Sequence, residues 1–181
     1  AGRVVGYDVC IGNQALNYLA EEAGLDFDAD GALARAGKCV PELRQRMNAL
    51  PFHHQPPPRS LGREWFDAEF RPLIEQDHST LADRMATVVE HIAHQVGHVS
   101  KDAKGPLLVT GGGAHNSFLM ERIRSLAACA VEVPDPVTVD FKEALVFALL
   151  GVRRLRGEVN TLASVTGASD SSVGGAVYAV N

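Results

Sequence analysis

Three consecutive glycines stand between an apolar strand pattern and an amphipathic helix pattern, and few architectures accommodate this junction. Leu107–Thr110 has the composition of a buried strand, and Gly111–Gly113 follow it directly. Leu119, Met120 and Ile123 then recur at helical spacing. A strand, a glycine turn and a helix in direct succession are typical of α/β folds.

The three glycines Gly111, Gly112 and Gly113 also predict a binding site. Without Cβ atoms, their backbone can approach a flat or anionic ligand closely, and the amides at the start of the next helix favour negative charge. We therefore predict a nucleotide at this turn. A tight strand-to-helix turn without a ligand is the alternative, because neither the dinucleotide spacing of glycines nor a Walker lysine is present. Asn116 is placed to cap the helix that follows.

Strand and helix patterns alternate along the chain, which favours an α/β fold. The strand-like segments are Val4–Tyr7, Pro106–Thr110, Ala128–Val133 and Ala176–Val180. The clearest helical patterns between them are Asn13 to Gly24, Ser79 to Val99 and Phe141 to Arg156. We expect residues 1–181 to form a single domain, because this length supports one well-packed core.

Composition excludes several classes of function. The formal net charge of the 181 residues is −5, and no segment concentrates Lys or Arg, so a nucleic-acid partner is not expected. The longest apolar run, Ala144–Val152, is too short to span a membrane, and no leader pattern opens the chain. Its three cysteines are an odd number without C-x-x-C spacing, which indicates a reducing cytoplasm.

Asp8 is the best candidate for a catalytic side chain. It ends the first strand pattern and precedes Gly12, Asn13 and a helix. Side chains at the carboxyl ends of strands in open α/β sheets face the ligand crevice, where a carboxylate can accept a proton or orient a metal. The structural alternative is an Asp that accepts hydrogen bonds from the amides of the following turn.

Two patterns that resemble metal sites are better explained otherwise. Asp26–Gly31 matches the start of a calcium loop, but the twelfth position is Gly37 instead of a bidentate Glu. His91, His94 and His98 lie on one side of a helical pattern, opposite its apolar stripe. We interpret them as a solvated face and predict no metal ligand in this chain.

Glu143 has a structural and a functional interpretation. Asp140 and Glu143 have the spacing of a capping box, so a helix is expected to begin at Phe141 with Asp140 as its cap. The functional interpretation comes from a family resemblance.

Five blocks, taken together and in this order, resemble the anhydro-N-acetylmuramic acid kinase family. The blocks are Tyr7–Asn13, Phe27–Gly31, Pro58–Phe66, Val109–Asn116 and Ser164–Ala168. The resemblance spans nearly the whole chain and is to the C-terminal half of such a kinase.

The resemblance implies one lobe of an actin-like (ribonuclease H-like) sugar kinase fold, with a mixed sheet and flanking helices. It implies ATP-dependent, Mg²⁺-dependent phosphorylation of 1,6-anhydro-N-acetylmuramic acid, coupled to opening of the anhydro ring by water, in cell-wall recycling. An N-terminal lobe absent from this chain and a homodimer are implied as partners. The 181-residue chain by itself is expected to be inactive.

The resemblance also assigns residues. Asp8 matches the catalytic base, and Glu143 matches an acid that contacts the sugar. Positions matched to the nucleotide are Gly12, Asn13, Gly111, Gly112, Gly113 and Asn116.

The first block departs from the family pattern at three positions. Val9, Cys10 and Ile11 stand where Thr, Gly and Pro are usual, and Leu61 replaces a usual Thr. Loss of Thr removes a hydroxyl, and loss of the first Gly disfavours a backbone with positive φ, so both changes affect the expected contacts to phosphate. Two alternatives therefore stay open: an N-acetylhexosamine kinase of the same superfamily, and a nucleotide- or sugar-binding relative that has lost catalysis.

Overall fold

The computed structural model describes residues 4–178, which form a helix-rich α/β fold. The α-helices of these residues are α1 (Asn13–Glu22), α2 (Ala32–Ala36), α3 (Pro41–Asn48), α4 (Arg63–Trp65), α5 (Arg71–Glu75), α6 (Leu81–Ser100), α7 (Ser117–Leu126), α8 (Pro136–Leu155) and α9 (Ala163–Thr166). The strands are β1 (Leu107–Leu108) and β2 (Val131–Glu132). No helix among residues 4–178 has both the length and the apolar character that a membrane span requires.

Helix α6 forms the centre of the core, with α1, α2, α3 and α7 packed around it. Its periodic residues Met85, Val88, Val89 and Ile92 are buried, as their spacing predicts. The cap is Thr80, whose side chain accepts a hydrogen bond from the Asp83 amide. Apolar periodicity therefore identified the main core helix within two residues at each end.

Helix α1 directly follows the segment that carries Asp8. Ala15, Leu16, Leu19 and Ala20 form its buried face. Gly24, with φ of +74°, lies just beyond the helix end in the left-handed region that glycine tolerates best. The predicted helix is confirmed, and its first turn is fixed beside the core.

The sheet is smaller than the sequence suggests. β1 and β2 pair in parallel, with Leu107 opposite Val131, so the sheet of residues 4–178 is parallel and not mixed. Val4–Tyr7 forms no ladder with the described residues, and Ala176–Tyr178 is not a strand. The last two residues of that segment, 179 and 180, lie outside the described range. A strand pattern predicts extended backbone, but a ladder also needs a neighbouring strand.

Helix α8 begins five residues earlier than predicted. Asp135 is the cap and accepts a hydrogen bond from the Thr138 amide, and Pro136 occupies the first turn. Proline suits that turn because its missing N–H has no partner there in any case. The prediction that Asp140 caps the helix and forms a capping box with Glu143 is therefore wrong.

His91 is buried instead of solvated, which corrects the prediction for this face of α6. Its ring packs against His53 and Phe70, with centroids 5.0 and 5.5 Å away. Its Nδ1 donates a hydrogen bond to Asn48 Oδ1 over 2.7 Å. Burial lowers the pKa of His91 to about 3, and the nearby His53 acts in the same direction. His94 and His98 are exposed, as predicted.

We expect the buried His91 to make the fold sensitive to acid. Its pKa is about 3 when folded and about 6.5 when unfolded, so the unfolded chain binds more protons as pH falls below 6.5. Stability is then lost as pH falls, by about 2 kcal/mol between pH 7 and pH 5. Urea unfolding of the wild type and of His91→Gln at both pH values measures this. Equal pH dependence in the two proteins would contradict it.

Candidate functional site

The glycine turn has the geometry that its sequence predicts. Gly111 adopts φ of +79°, and its amide donates to the Val139 carbonyl oxygen over 3.2 Å. The turn continues as a short 3₁₀ segment, Gly112–His115, before α7 begins. A positive φ strains any residue with a Cβ atom, so Gly111 is required by the backbone.

The other two glycines let the Asn13 side chain lie against the turn. A Cβ atom at Gly112 would stand 3.0 Å from Asn13 Nδ2, and one at Gly113 would stand 3.3 Å from Asn13 Oδ1. The start of α1 and the glycine turn are therefore in close contact. The structure thus brings together two blocks that are about 100 positions apart in the sequence.

A pocket of about 470 Å³ opens at this contact. Asn13, Gly112 and Asn116, three of the residues predicted for the nucleotide, line it. Its other lining residues are Leu16, Asn17, Phe27, Asp28, Ala29, Asp30 and His115. The volume lies within the range of small-molecule sites, and the lining joins apolar side chains with a few polar ones, as such sites do.

The wall formed by Phe27–Asp30 was not predicted as part of the site. Phe27 is 62% exposed. The buried Asp28 carboxylate accepts hydrogen bonds from the amides of Leu33 and Ala34, at 2.9 and 3.0 Å. Asp28 therefore fixes the wall to the start of α2, and its two carboxylate oxygens have a structural partner. The sequence signals for this segment were the block resemblance and the discounted match to the start of a calcium loop.

Asn116 caps α7, as its position predicts. It is buried, and its Oδ1 accepts a hydrogen bond from the Leu119 amide over 2.9 Å. The same oxygen lies so close to Gly31 that a side chain at Gly31 would overlap it. Asn116 therefore joins α7 to the pocket wall.

We expect Asn116→Ala to lower the free energy of unfolding by about 1 kcal/mol, because the Leu119 amide loses its cap. Asn116→Asp retains an acceptor of the same length and is the matched control. Urea denaturation of both variants measures the difference. An equal loss of stability in the two variants would show that the cap is not the cause.

Asp8 is exposed, and the loop at residues 59–61 holds it. Its Oδ2 accepts hydrogen bonds from the Leu61 amide at 2.6 Å and from Ser60 Oγ at 3.1 Å. Its own amide donates to the Arg59 carbonyl oxygen. The structural alternative, in which Asp8 accepts hydrogen bonds from the turn that follows it, is not observed, because residues 59–61 supply the donors. Asp8 Oδ1 accepts no hydrogen bond from the described residues.

Arg59 organises this loop, and sequence reasoning did not single it out. Its Nε donates to the Asp8 carbonyl oxygen over 3.0 Å, and its guanidinium also bonds to the carbonyls of Phe52, His53 and Gln55. The same group lies 5.3 Å from the centroid of the Tyr7 ring. A planar guanidinium with five donors can bridge carbonyls on several segments at once. Arg59 thereby ties the Asp8 segment to the loop from Phe52.

The three residues of the first block that depart from the family pattern, Val9, Cys10 and Ile11, differ in burial. Ile11 is buried in the core cluster. Burial raises the pKa of the Cys10 thiol to about 12, although the nearby Arg59 charge acts in the opposite direction. A thiol with so high a pKa is protonated at neutral pH and is a poor nucleophile. Cys10 is partly buried and packs against the core cluster.

Glu143 lies apart from the pocket. It is an exposed residue of α8 and is not among the residues that line the pocket. Its neighbour Asp140 reaches the site instead, with Oδ1 2.8 Å from His115 Nε2. The structure brings Asn13, Asn116 and the three glycines to one place, with Gly12 adjacent, and leaves Glu143 outside it.

The residues described include no group of three or more His, Cys, Asp or Glu side chains arranged to hold a metal ion.

Comparison with known proteins identifies the family to which these features belong. The family model described as anhydro-N-acetylmuramic acid kinase matches residues 1–180. An anhydro-N-acetylmuramic acid kinase from Aliivibrio fischeri is 36% identical over 192 aligned positions, which cover 98% of this chain and 51% of the relative. The chain therefore spans about half the length of this curated relative.

Proposed function

Because the chain belongs to the anhydro-N-acetylmuramic acid kinase family, we propose that it is one lobe of an ATP-dependent kinase of 1,6-anhydro-N-acetylmuramic acid. The observation that carries this proposal is the pocket between the glycine turn and Asn13, with the exposed Asp8 five residues before Asn13. Five residues of extended chain span at most about 17 Å, so a base and a nucleotide pocket lie on the same short segment.

ATP binds the pocket in this proposal. The pocket lining combines Gly112 and the polar residues Asn13 and Asn116 with the apolar residues Leu16 and Phe27. An aromatic ring and aliphatic carbons provide the flat apolar contact that a purine needs. The glycine turn allows close approach of its backbone to the ligand.

Asp8 acts as the general base. One carboxylate oxygen is fixed by the Leu61 amide and Ser60 hydroxyl, which leaves the other to accept a proton from water. The water oxygen then attacks the anomeric carbon, the bond from that carbon to the anhydro oxygen breaks, and the freed oxygen accepts the γ-phosphoryl group. The products are N-acetylmuramic acid 6-phosphate and ADP.

Mg²⁺ accompanies ATP in this proposal and neutralises phosphate charge. Such ions are usually held by one or two carboxylates together with phosphate oxygens, so a cluster of three protein ligands is not required.

The remaining elements of the proposal concern the rest of the protein. The chain forms the C-terminal lobe of a two-lobed, actin-like kinase that acts in the cytoplasm as a homodimer. Glu143 contacts the sugar once the second lobe is present. Phosphoryl transfer depends on positioning of two substrates, so half of the cleft is not expected to catalyse it.

The experiment compares the 181-residue chain with the full-length protein that contains it. ATP consumption and product mass are measured with the anhydro sugar and with a reducing N-acetylhexosamine. We expect the full-length protein to phosphorylate the anhydro sugar with uptake of one water, and the 181-residue chain to give no product above background. Phosphorylation of only the reducing sugar would identify an N-acetylhexosamine kinase instead. Calorimetric binding of ATP without any product would identify a relative that has lost catalysis.

A further inference from the structure

Helix α8 directs its most apolar face away from the rest of the chain. Five large apolar residues recur along this face at helical spacing, and we call them the outer stripe. They are Val137, Phe141, Leu145, Val152 and Leu155, which are 66, 62, 70, 53 and 75% exposed. Ala144, Ala148 and Gly151 occupy the positions between them, so no charged residue interrupts the stripe. It extends about 27 Å at 1.5 Å per residue.

The opposite side of α8 is the one that contacts the protein. Val139 is buried there. Arg154 Nε donates to the Gly175 carbonyl oxygen over 2.8 Å, and Asn160 Nδ2 donates to the Leu150 carbonyl oxygen over 3.1 Å. Soluble helices normally bury their apolar face and expose the polar one. Among the described residues, Val139 is the one buried residue of α8; outside the outer stripe, Val146, Phe147 and Leu149 are also exposed, at 44, 65 and 57%.

The sheet next to α8 is also incomplete. β1 and β2 form a two-stranded parallel sheet, and both Leu108 of β1 and Val133, just after β2, are exposed. Parallel sheets are almost always covered on both faces, and a two-stranded sheet is marginally stable by itself. β2 ends at Glu132 and α8 begins at Pro136, so the two surfaces are close together in the chain.

We propose that the outer stripe and the exposed β1–β2 sheet form the docking surface for the half of the family's polypeptide that this chain does not match. That half adds strands to the open edge of the sheet and packs an apolar layer on the stripe. The inference rests on the proposal that this chain is one lobe of a longer kinase. The alignment supports this choice of occupant, because it covers only 51% of the relative from Aliivibrio fischeri and leaves the other half of that polypeptide unmatched.

A second copy of this chain fits the surface less well. It would bring its own outer stripe, but residues 4–178 contain no strand besides β1 and β2 with which to extend the sheet. A partner that contributes both additional strands and an apolar layer would cover the sheet edge and the outer stripe. Large exposed apolar patches on soluble proteins generally mark such interfaces.

Cysteine labelling tests the inference in the 181-residue chain and in the full-length protein. Leu145→Cys lies in the outer stripe, and Lys142→Cys lies on the same helix outside it; the three native cysteines give the background rate. We expect a thiol reagent to label Leu145→Cys at least tenfold more slowly in the full-length protein than in the 181-residue chain. Lys142→Cys should react within about threefold of the same rate in both.

A second measurement uses charge and does not depend on labelling. The double variant Phe141→Glu with Leu145→Glu should leave the melting temperature of the 181-residue chain unchanged and lower that of the full-length protein, whereas Lys142→Glu should change neither. Equal labelling of Leu145→Cys in both proteins would overturn the inference. So would a 181-residue chain that sediments as a dimer, dissociates in the double variant, and leaves the full-length protein unaffected. A full-length protein that protects Leu145→Cys but has no kinase activity would contradict the proposed function and support the docking surface.

Discussion

Replacing Asp8 with asparagine in the full-length protein will lower kcat by on the order of 10²–10⁴-fold, the usual contribution of a general base. An asparagine oxygen can still accept hydrogen bonds from the Leu61 amide and Ser60 Oγ, so the loop geometry is retained. A neutral amide cannot take a proton from water. The loss should therefore appear in kcat, with the Kd for ATP changed less than about threefold.

Ser60→Ala is the matched control for Asp8→Asn. It removes one hydrogen bond from the same carboxylate and leaves the carboxylate itself in place, held by the Leu61 amide at 2.6 Å. We expect a decrease in kcat of about tenfold, in line with the loss of one exposed hydrogen bond to a carboxylate, worth about 1.5 kcal/mol. Steady-state kinetics and calorimetric ATP binding on both variants give the comparison. If Asp8→Asn turns over as fast as Ser60→Ala, Asp8 is not the base.

Gly37→Ala will destabilise the 181-residue chain by about 3 kcal/mol, at the upper end of the usual cost of overpacking. Gly37 lies at the end of α2, and a Cβ atom there would overlap the carbonyl group of Ala82 and approach the Asp83 amide nitrogen to 2.6 Å. These are backbone atoms in the first turn of α6, so they cannot rotate away. The φ and ψ of Gly37, −92° and 177°, are ordinary for alanine, which leaves the overlap as the cause.

Gly105→Ala is the control for Gly37→Ala. A Cβ atom at Gly105 meets no atom within 4 Å, and its φ is not in the left-handed region. We expect no loss of stability, or a gain of about 0.4–1 kcal/mol through reduced freedom of the unfolded chain. Urea unfolding of both variants measures the change in the free energy of unfolding that each substitution causes. A Gly37→Ala variant as stable as Gly105→Ala would show that α2 is not closely packed on α6.

Periodicity located the helices better than local cap signals located their ends. α1 and α6 were predicted within about two residues, because their apolar stripes face one core. For α8 the sequence offers two acceptable caps, Asp135 before Pro136 and Asp140 before Phe141. Both satisfy the same local rule, and only the structure shows that Asp135 is the cap, with Val139 buried in the first turns and its carbonyl oxygen bonded to the Gly111 amide.

The candidate site was predictable in part. The glycine turn and Asn116 were found because a strand, glycines and a helix cap are adjacent in sequence, where local chemistry suffices. Arg59 was missed because its acceptors are backbone carbonyls, which every residue has. Phe27 was missed because an exposed phenylalanine has no distinctive pattern until a pocket forms beside it.

The amino-acid sequence alone was enough to predict the α/β class, the family, and the core helices α1 and α6. Only the tertiary structure showed that Asn13 lies on the glycine turn, that residues 59–61 hold Asp8, that His91 is buried, and that the outer stripe of α8 is exposed. The reason is physical. Periodicity and capping depend on residues within about one or two turns of each other, whereas burial and side-chain partners depend on which distant segments the core brings into contact.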